Sequence, residues 1–202
     1  MELDTDHPVR NAVAINKKLD DVFQQSTENV FLDATTFTHE TLLILYKLLY
    51  EKKDCFVNLY IGYIGAKEYS TNEVELENKW LSSGISKIRS IVGYPGVNSP
   101  ARKNHLLVLV GFESQRTQSL IEKLQFDAIS LGFGHKEHSI EKSHHELNYQ
   151  RHLELMRKYT NADEFCFSLT DPVETERAIQ KQILKFTNQN TVIAPMNNKL
   201  ST

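Results

Sequence analysis

Short apolar runs and longer amphipathic stretches alternate along most of the chain. Residues 106–110 are five consecutive aliphatic side chains, which predicts a strand buried on both faces, as at the centre of a parallel sheet. Further strands are predicted at residues 30–32, 55–61, 85–92, 128–132, 164–169 and 191–194. Helices between such strands are crossovers, so we expect an α/β protein, a three-layer sandwich with a mostly parallel, Rossmann-like sheet.

The helices are predicted from hydrophobic spacing and from their first residues. The spacing indicates helices over residues 40–52, 115–124, 146–159 and 172–186. Three polar residues are predicted N-caps: Thr38, Ser114 and Asp171. Asp171 is the clearest of them, because Pro172 and Glu174 follow it at positions that favour a helix start.

The length of 202 residues suits one large domain. Residues 1–28 are polar, with a weak pattern for one short amphipathic helix, and residues 29–202 are predicted to form a single Rossmann-like α/β domain. The sequence leaves open whether residues 62–82 form an ordered element or a lid. Because the chain stops just after its last predicted strand, we expect a truncation at the C-terminus.

Charge and composition exclude some function classes. The formal net charge is −3, which does not favour wholesale binding of nucleic acid. No apolar run approaches the ~20 residues of a membrane span, and the first residues do not resemble a signal peptide, so a cytoplasmic protein is predicted. Cys55 and Cys166 lie in apolar segments and are predicted to be buried free thiols rather than disulfides or nucleophiles.

Polar residues and glycines follow the predicted strands, where parallel α/β sheets bind ligands. Asp33 and Glu113 form a candidate acid–base pair. Arg116 and Lys199 are candidate phosphate partners. The other candidate ligand-binding residues supply hydroxyls, amides or close backbone approach: Thr35, Thr36, Ser114, Gly132, Gly134 and Asn197. The alternative is that turns are built from such residues anyway, with Asp33 supporting a cap and Glu113 solvated.

Five of the eight histidines lie between residues 135 and 152, namely His135, His138, His144, His145 and His152. His145 and His152 are two helical turns apart on one face, but no known zinc pattern fits the group, so a solvated cluster without metal is predicted. The chain also lacks the dinucleotide fingerprint, the Walker loop and the nucleophile elbow of hydrolases. The cofactor, if any, is unknown from these motifs.

Three stretches, at residues 31–40, 107–116 and 192–201, together resemble a poorly characterised group of bacterial Rossmann-like proteins associated with mobile and anti-phage defence loci. The resemblance spans the chain from about residue 30 to its end and implies a chain that continues past Ser201. It implies no particular activity. A looser, fold-level likeness is to the Rossmann-like sensor domains that bind cyclic oligonucleotides.

Three hypotheses follow. The first is a sensor module that binds a nucleotide-like, phosphate-bearing small molecule at the strand ends. The second is a hydrolase of a nucleotide or N-glycosidic bond, with Asp33 or Glu113 as the base. The third is a non-catalytic interaction subunit that binds a protein partner or forms a homo-oligomer.

Overall fold

Strands and helices alternate along the described part of the chain. The computed structural model describes residues 3–4, 6–24, 27–65, 85, 87–138 and 142–202, and of residues 27, 142–144 and 147 the backbone alone. The strands are β1 (Thr27–Asp33), β2 (Phe56–Gly62), β3 (Asn104–Leu109), β4 (Ala128–Gly134), β5 (Asp163–Phe167) and β6 (Asn190–Pro195). The helices are α1 (Pro8–Val22), α2 (His39–Glu51), α3 (Ser114–Lys123), α4 (Lys142–Lys158) and α5 (Pro172–Lys185). Short 3-10 helices span Lys53–Cys55, Lys136–His138 and Lys199–Ser201.

The chain divides into two compact units. The first comprises Met1–Ile64 with Arg89–Gly96, and the second comprises Gly65–Ile88 with Val97–Thr202. The predicted single domain over residues 29–202 is not tested by this division, since compact units can belong to one domain. Most of the open question about residues 62–82 falls on residues 66–82, which lie outside the described residues.

The first unit contains a two-stranded parallel sheet of β1 and β2, joined through α2. Helix α2 begins where predicted, because the Thr38 side chain accepts a hydrogen bond from the Thr41 amide. The core of the unit consists of apolar side chains from α1 and α2: Ile15, Ile44, Leu45 and Leu49. Burial of these residues stabilises the parallel pair, since two strands alone are marginal in water.

The second unit contains a four-stranded parallel sheet in the order β5-β4-β3-β6. On one face, side chains of β3 and β4 pack with Leu120 of α3 and Leu155 of α4. On the other face, Leu107 and Leu109 pack with Phe167 and with Ile179 of α5. Helices therefore cover both faces, and the predicted α/β three-layer sandwich with a Rossmann-like parallel sheet is confirmed. Its central strand β3 is the one predicted from the aliphatic run.

The strand predicted over residues 85–92 is wrong. Residues 85 and 87–92 carry no strand, and the apolar members of the alternation have other roles. Ile91 and Val92 pack against the core of the first unit. Arg89 donates hydrogen bonds of 2.8 and 2.7 Å to the two carboxylate oxygens of Glu40. Side-chain contacts rather than strand pairing therefore hold residues 89–92 against the first unit.

No helix within the described residues is long and apolar enough to cross a membrane.

Candidate functional site

The residues predicted from the strand ends lie in two different sheets. Asp33, Thr35 and Thr36 follow β1 in the first unit. The others follow or end strands of the four-stranded sheet: Glu113, Ser114, Arg116, Gly132, Gly134, Asn197 and Lys199. The expectation that Asp33 and Glu113 share one sheet edge is therefore not met. Their proposed roles as acid and base stay predictions.

Asp33 closes a turn at the end of β1. Its carboxylate accepts a hydrogen bond of 2.9 Å from the Thr35 amide, and the hydrogen bonds from Thr35 lower the pKa of Asp33. The Thr35 hydroxyl in turn accepts a hydrogen bond from the Ile64 amide at 3.1 Å. Thr36 is exposed in the same turn. This turn chemistry agrees with the structural alternative given for these three residues.

The topological switch point of the four-stranded sheet lies between β3 and β6, and the backbone closes it. A Cβ on Gly111 would lie 1.8 Å from the carbonyl oxygen of Met196, so only glycine permits this approach of the two chain segments. The Asn197 amide donates a hydrogen bond of 2.6 Å to the Val110 carbonyl. Asn197 thereby ties the end of β6 to the end of β3, and the crevice that often holds a ligand in such sheets is bridged by the chain itself.

The start of α3 differs from the prediction. Glu113 occupies the N-cap position without a side-chain cap hydrogen bond, and Ser114 is the first helical residue, so Ser114 is not the cap. Glu113 instead lies 3.6 Å from the Nε of Arg116. That ion pair offsets part of the positive charge that Arg116 would offer to a phosphate. Partial burial lowers the pKa of Lys199.

Gly132 and Gly134 make room for side chains of the sheet's own packing. A Cβ on Gly132 would lie 2.4 Å from the ring of Phe165, and one on Gly134 would lie 2.5 Å from Leu169. Both glycines therefore have a packing role that does not require a ligand.

A cavity of about 410 Å³ opens at the carboxyl ends of β4 and β5. Its walls come from the ends of these two strands, the segment after β4 and the first two turns of α4. The lining residues are Phe133, His135, Lys136, His145, Glu146, Tyr149 and Cys166. The volume lies within the range of small-molecule sites, and the position is the one where parallel sheets bind ligands.

Aromatic rings form one wall of the cavity. The ring centroids of Phe133 and Tyr149 are 5.9 Å apart, and His145 stacks on Tyr149 at 5.9 Å with an interplanar angle of 16°. Behind Phe133 lies the ring of His152, at 4.2 Å. His145, Tyr149 and His152 follow one another at helical spacing on α4, which explains why they share its inner face.

His145 is a buried polar group without a hydrogen bond among the described residues. It is 9% exposed, and its imidazole lines the cavity. Burial lowers the pKa of His145, the positive charge of Lys136 lowers it further, and Glu146 opposes the shift. The imidazole is therefore neutral near neutral pH and offers one donor and one acceptor. The His145 nitrogens are not among the fully buried unpaired side-chain atoms, which include both nitrogens of His152, so they are accessible from the cavity.

His152 lies deeper, at 1% exposed, with its Nε2 3.4 Å from a carboxylate oxygen of Glu164. Burial lowers the pKa of His152, and Glu164 opposes that shift. The prediction of a solvated histidine cluster is thus wrong for His145 and His152, because α4 packs this face against the sheet. His135 is exposed, and its ring is 5.2 Å from that of His138. The side chain of His144 lies outside the described residues.

Cys166 is exposed on the cavity wall, and Cys55 is half-buried, so the prediction that both thiols are buried is wrong. Cys166 alternates with the buried Phe167 along β5, an edge strand of the sheet. The pKa of the Cys166 thiol is raised, first by partial desolvation and then by the carboxylate of Glu164. A protonated thiol is a poor nucleophile, so Cys166 is not poised for covalent catalysis.

The described residues contain no group of three or more histidine, cysteine or acidic side chains that could hold a metal ion. Of the residues that line the cavity, His135 and His145 belong to the histidine cluster visible in the sequence, whereas no motif marks Phe133, Tyr149 or Cys166 as part of a site. The spacing from His145 through Tyr149 to His152 was the available signal, since it places an aromatic residue between two histidines on one helix face.

Comparisons with known proteins return no match at any of three levels. No family model matches the chain. No curated protein matches its sequence, and no solved structure matches its fold. The resemblance to defence-associated Rossmann-like proteins therefore stays a prediction.

Proposed function

We propose that the protein is a ligand-binding module whose site is the cavity at the ends of β4 and β5, and that its ligand is a nucleotide-like, phosphate-bearing small molecule. The observation that carries the proposal is the buried His145, which lines this cavity without a hydrogen bond among the described residues. Its ring nitrogens are not among the fully buried unpaired atoms, so they are open to the cavity, where a ligand can hydrogen-bond them.

The walls suit a flat ring. Phe133 and Tyr149 present aromatic surface, and the His145 ring lies nearly parallel to that of Tyr149. Aromatic walls with few polar groups are typical of small-molecule sites, in which the polar groups orient the ligand. A heteroaromatic ring would contact this surface and hydrogen-bond at its polar edge.

The charges support an anionic group on the ligand. Lys136 and His135 are exposed beside the cavity, and the 17-residue helix α4 begins next to it. The amino end of a helix attracts anions through its dipole and its unpaired backbone amides. Glu146 offsets part of this positive charge and is an acceptor for hydroxyl or amino groups of a ligand.

Two observations favour binding over hydrolysis. The pKa of Asp33 is lowered by its turn, which weakens it as a base. The pKa of the Cys166 thiol is raised, which leaves the cavity wall without an activated nucleophile at that position. These two positions therefore support binding rather than hydrolysis, and the role of Glu113 as a base stays a prediction.

The test is thermal unfolding of the purified protein with nucleotides, dinucleotide cofactors and cyclic oligonucleotides. A ligand at ~100 times its Kd stabilises the folded state by about 2.7 kcal/mol, which raises Tm by a few degrees. Cys166→Trp would fill the cavity from an exposed wall position and abolish the shift. Val192→Trp, on the exposed side of β6 in the same sheet, is the matched control and keeps the shift. No shift with any compound in the unaltered protein would contradict the proposal.

A further inference from the structure

We propose that the ligand enters the cavity with its heteroaromatic end first, so that His145 hydrogen-bonds the polar edge of a nucleobase-like ring while the phosphate stays at the mouth beside Lys136. This inference rests on the proposed function and adds the orientation of the ligand and the group that recognises each end.

The inner end of the site requires an uncharged partner. His145 is nine-tenths buried and makes no hydrogen bond within the described part of the chain. The titratable groups around it are Lys136 and His135 after β4, Glu146 and Tyr149 on α4, and Cys166 on β5. Burial disfavours the charged form of the His145 imidazole. A phosphate bound beside the neutral imidazole would therefore have no positive charge from His145 to balance its own. A ring edge with a donor or an acceptor satisfies a neutral imidazole without burying a charge.

The outer end has the opposite character. Lys136 is exposed and lines the cavity. Its ammonium group is therefore available to a phosphate, and binding there does not require complete removal of water from either charge. Exposed His135 lies in the same short segment and adds a second nitrogen donor at this end.

The orientation is tested with the nucleotide that gives the largest thermal shift, its nucleoside, its free base and inorganic phosphate, each titrated by calorimetry. The protein variants are His145→Leu, His145→Gln and Lys136→Ala. Lys181→Ala is the matched control, because Lys181 is an exposed lysine on α5, which covers the other face of the sheet. Circular dichroism and Tm establish that each variant is folded.

We expect the unaltered protein to bind the nucleotide about tenfold more tightly than the nucleoside, since charge-assisted hydrogen bonds contribute about that factor. Lys136→Ala removes this difference and leaves nucleoside affinity unchanged. His145→Leu weakens nucleotide and nucleoside alike by about tenfold or more, and His145→Gln restores part of the affinity because it keeps a donor and an acceptor. Lys181→Ala behaves as the unaltered protein does.

Two results would overturn the orientation while leaving the proposed function intact. In one, His145→Leu abolishes the difference between nucleotide and nucleoside, which would place the phosphate at the inner end. In the other, inorganic phosphate alone competes with the nucleotide in the unaltered protein and loses this ability in His145→Leu. Absence of binding by every compound would instead contradict the proposed function itself, so the two failures are distinct.

Discussion

Three buried histidines of the second unit differ in what their ring nitrogens contact. His105 is fully buried and hydrogen-bonds the Ser130 hydroxyl at 2.8 Å and the Thr191 hydroxyl at 3.2 Å. His152 has only Glu164 near its Nε2, at 3.4 Å, and His145 has no hydrogen bond within the described residues. Burial alone therefore does not define a role. His105 has partners for both nitrogens and serves the fold, whereas both nitrogens of His152 are buried without a hydrogen bond. The nitrogens of His145 are open to the cavity and are the candidates for binding.

Because of this difference, substitution by leucine should change the free energy of unfolding differently at His105 and at His145. His105→Leu leaves the hydroxyls of Ser130 and Thr191 without their imidazole partner, so we expect it to lower the free energy of unfolding by about 1–3 kcal/mol. His145→Leu removes a side chain that makes no hydrogen bond to the described residues and whose nitrogens are open to the cavity, so we expect a change of less than about 0.5 kcal/mol. Urea denaturation of both variants measures this. Equal losses in the two variants would show that His145 is structural.

At the scale of the element, the start of a helix was predictable where only one polar residue could serve as the N-cap. Asp171 accepts hydrogen bonds from the amides of Val173 and Glu174, as its position before Pro172 indicated. Ser114 was predicted wrongly because two polar residues adjoin at the start of α3. The N-cap lies one residue earlier than predicted, at Glu113. The preference for serine as a cap does not determine which of two adjacent polar residues occupies that position.

Asp171→Ala and Ser114→Ala form a matched pair that tests this assignment. Asp171→Ala removes the acceptor of hydrogen bonds of 2.8 and 3.2 Å, so we expect it to lower the free energy of unfolding by about 1 kcal/mol. Ser114→Ala removes no cap hydrogen bond and should change it by less than about 0.5 kcal/mol. The midpoints of urea unfolding give both values. A loss for Ser114→Ala as large as that for Asp171→Ala would restore Ser114 as the cap.

At the scale of the whole molecule, the type of each element could be predicted from the sequence better than the order in which the strands pair. The aliphatic run of β3 predicts a central strand, because only a strand covered on both faces tolerates it. The same pattern does not say which strands pair. The order β5-β4-β3-β6 and the separate pair of β1 with β2 depend on long-range packing, which a single chain's periodicity does not contain.

The candidate site shows the same limit. The region after β4 was predicted because turn residues and glycines follow the strand there. The cavity, however, also needs Tyr149 on α4 and Cys166 on β5, which are remote from Phe133 in the chain. The register between β4 and β5 brings two of these residues together, since Phe133 pairs with Cys166. The hydrophobic periodicity of the sequence does not contain this register. The site is therefore a property of the sheet and its covering helix rather than of one motif.

His105, His145 and His152, the buried histidines among the described residues, also make the stability depend on pH. Burial lowers the pKa of His105, His145 and His152 in the folded state, whereas an unfolded histidine has a pKa of about 6.5. The unfolded chain therefore binds more protons below pH ~6.5. We expect the free energy of unfolding to be highest above this pH and to fall as the pH drops toward the folded-state pKa values. Each histidine adds a slope of up to about 1.4 kcal/mol per pH unit.

Urea unfolding at intervals from pH 7.5 to pH 5.5 measures this slope, in a range where most carboxylates stay ionised. His152→Leu removes one of the three groups, so we expect it to reduce the slope by about a third while stability at pH 7.5 is preserved. Leu155→Val, on the same buried face of α4, is the matched control: it lowers stability at every pH through lost packing but carries no proton and keeps the slope. Stability that rises as the pH falls would contradict the lowered pKa values, because it would require the folded state to bind more protons than the unfolded chain.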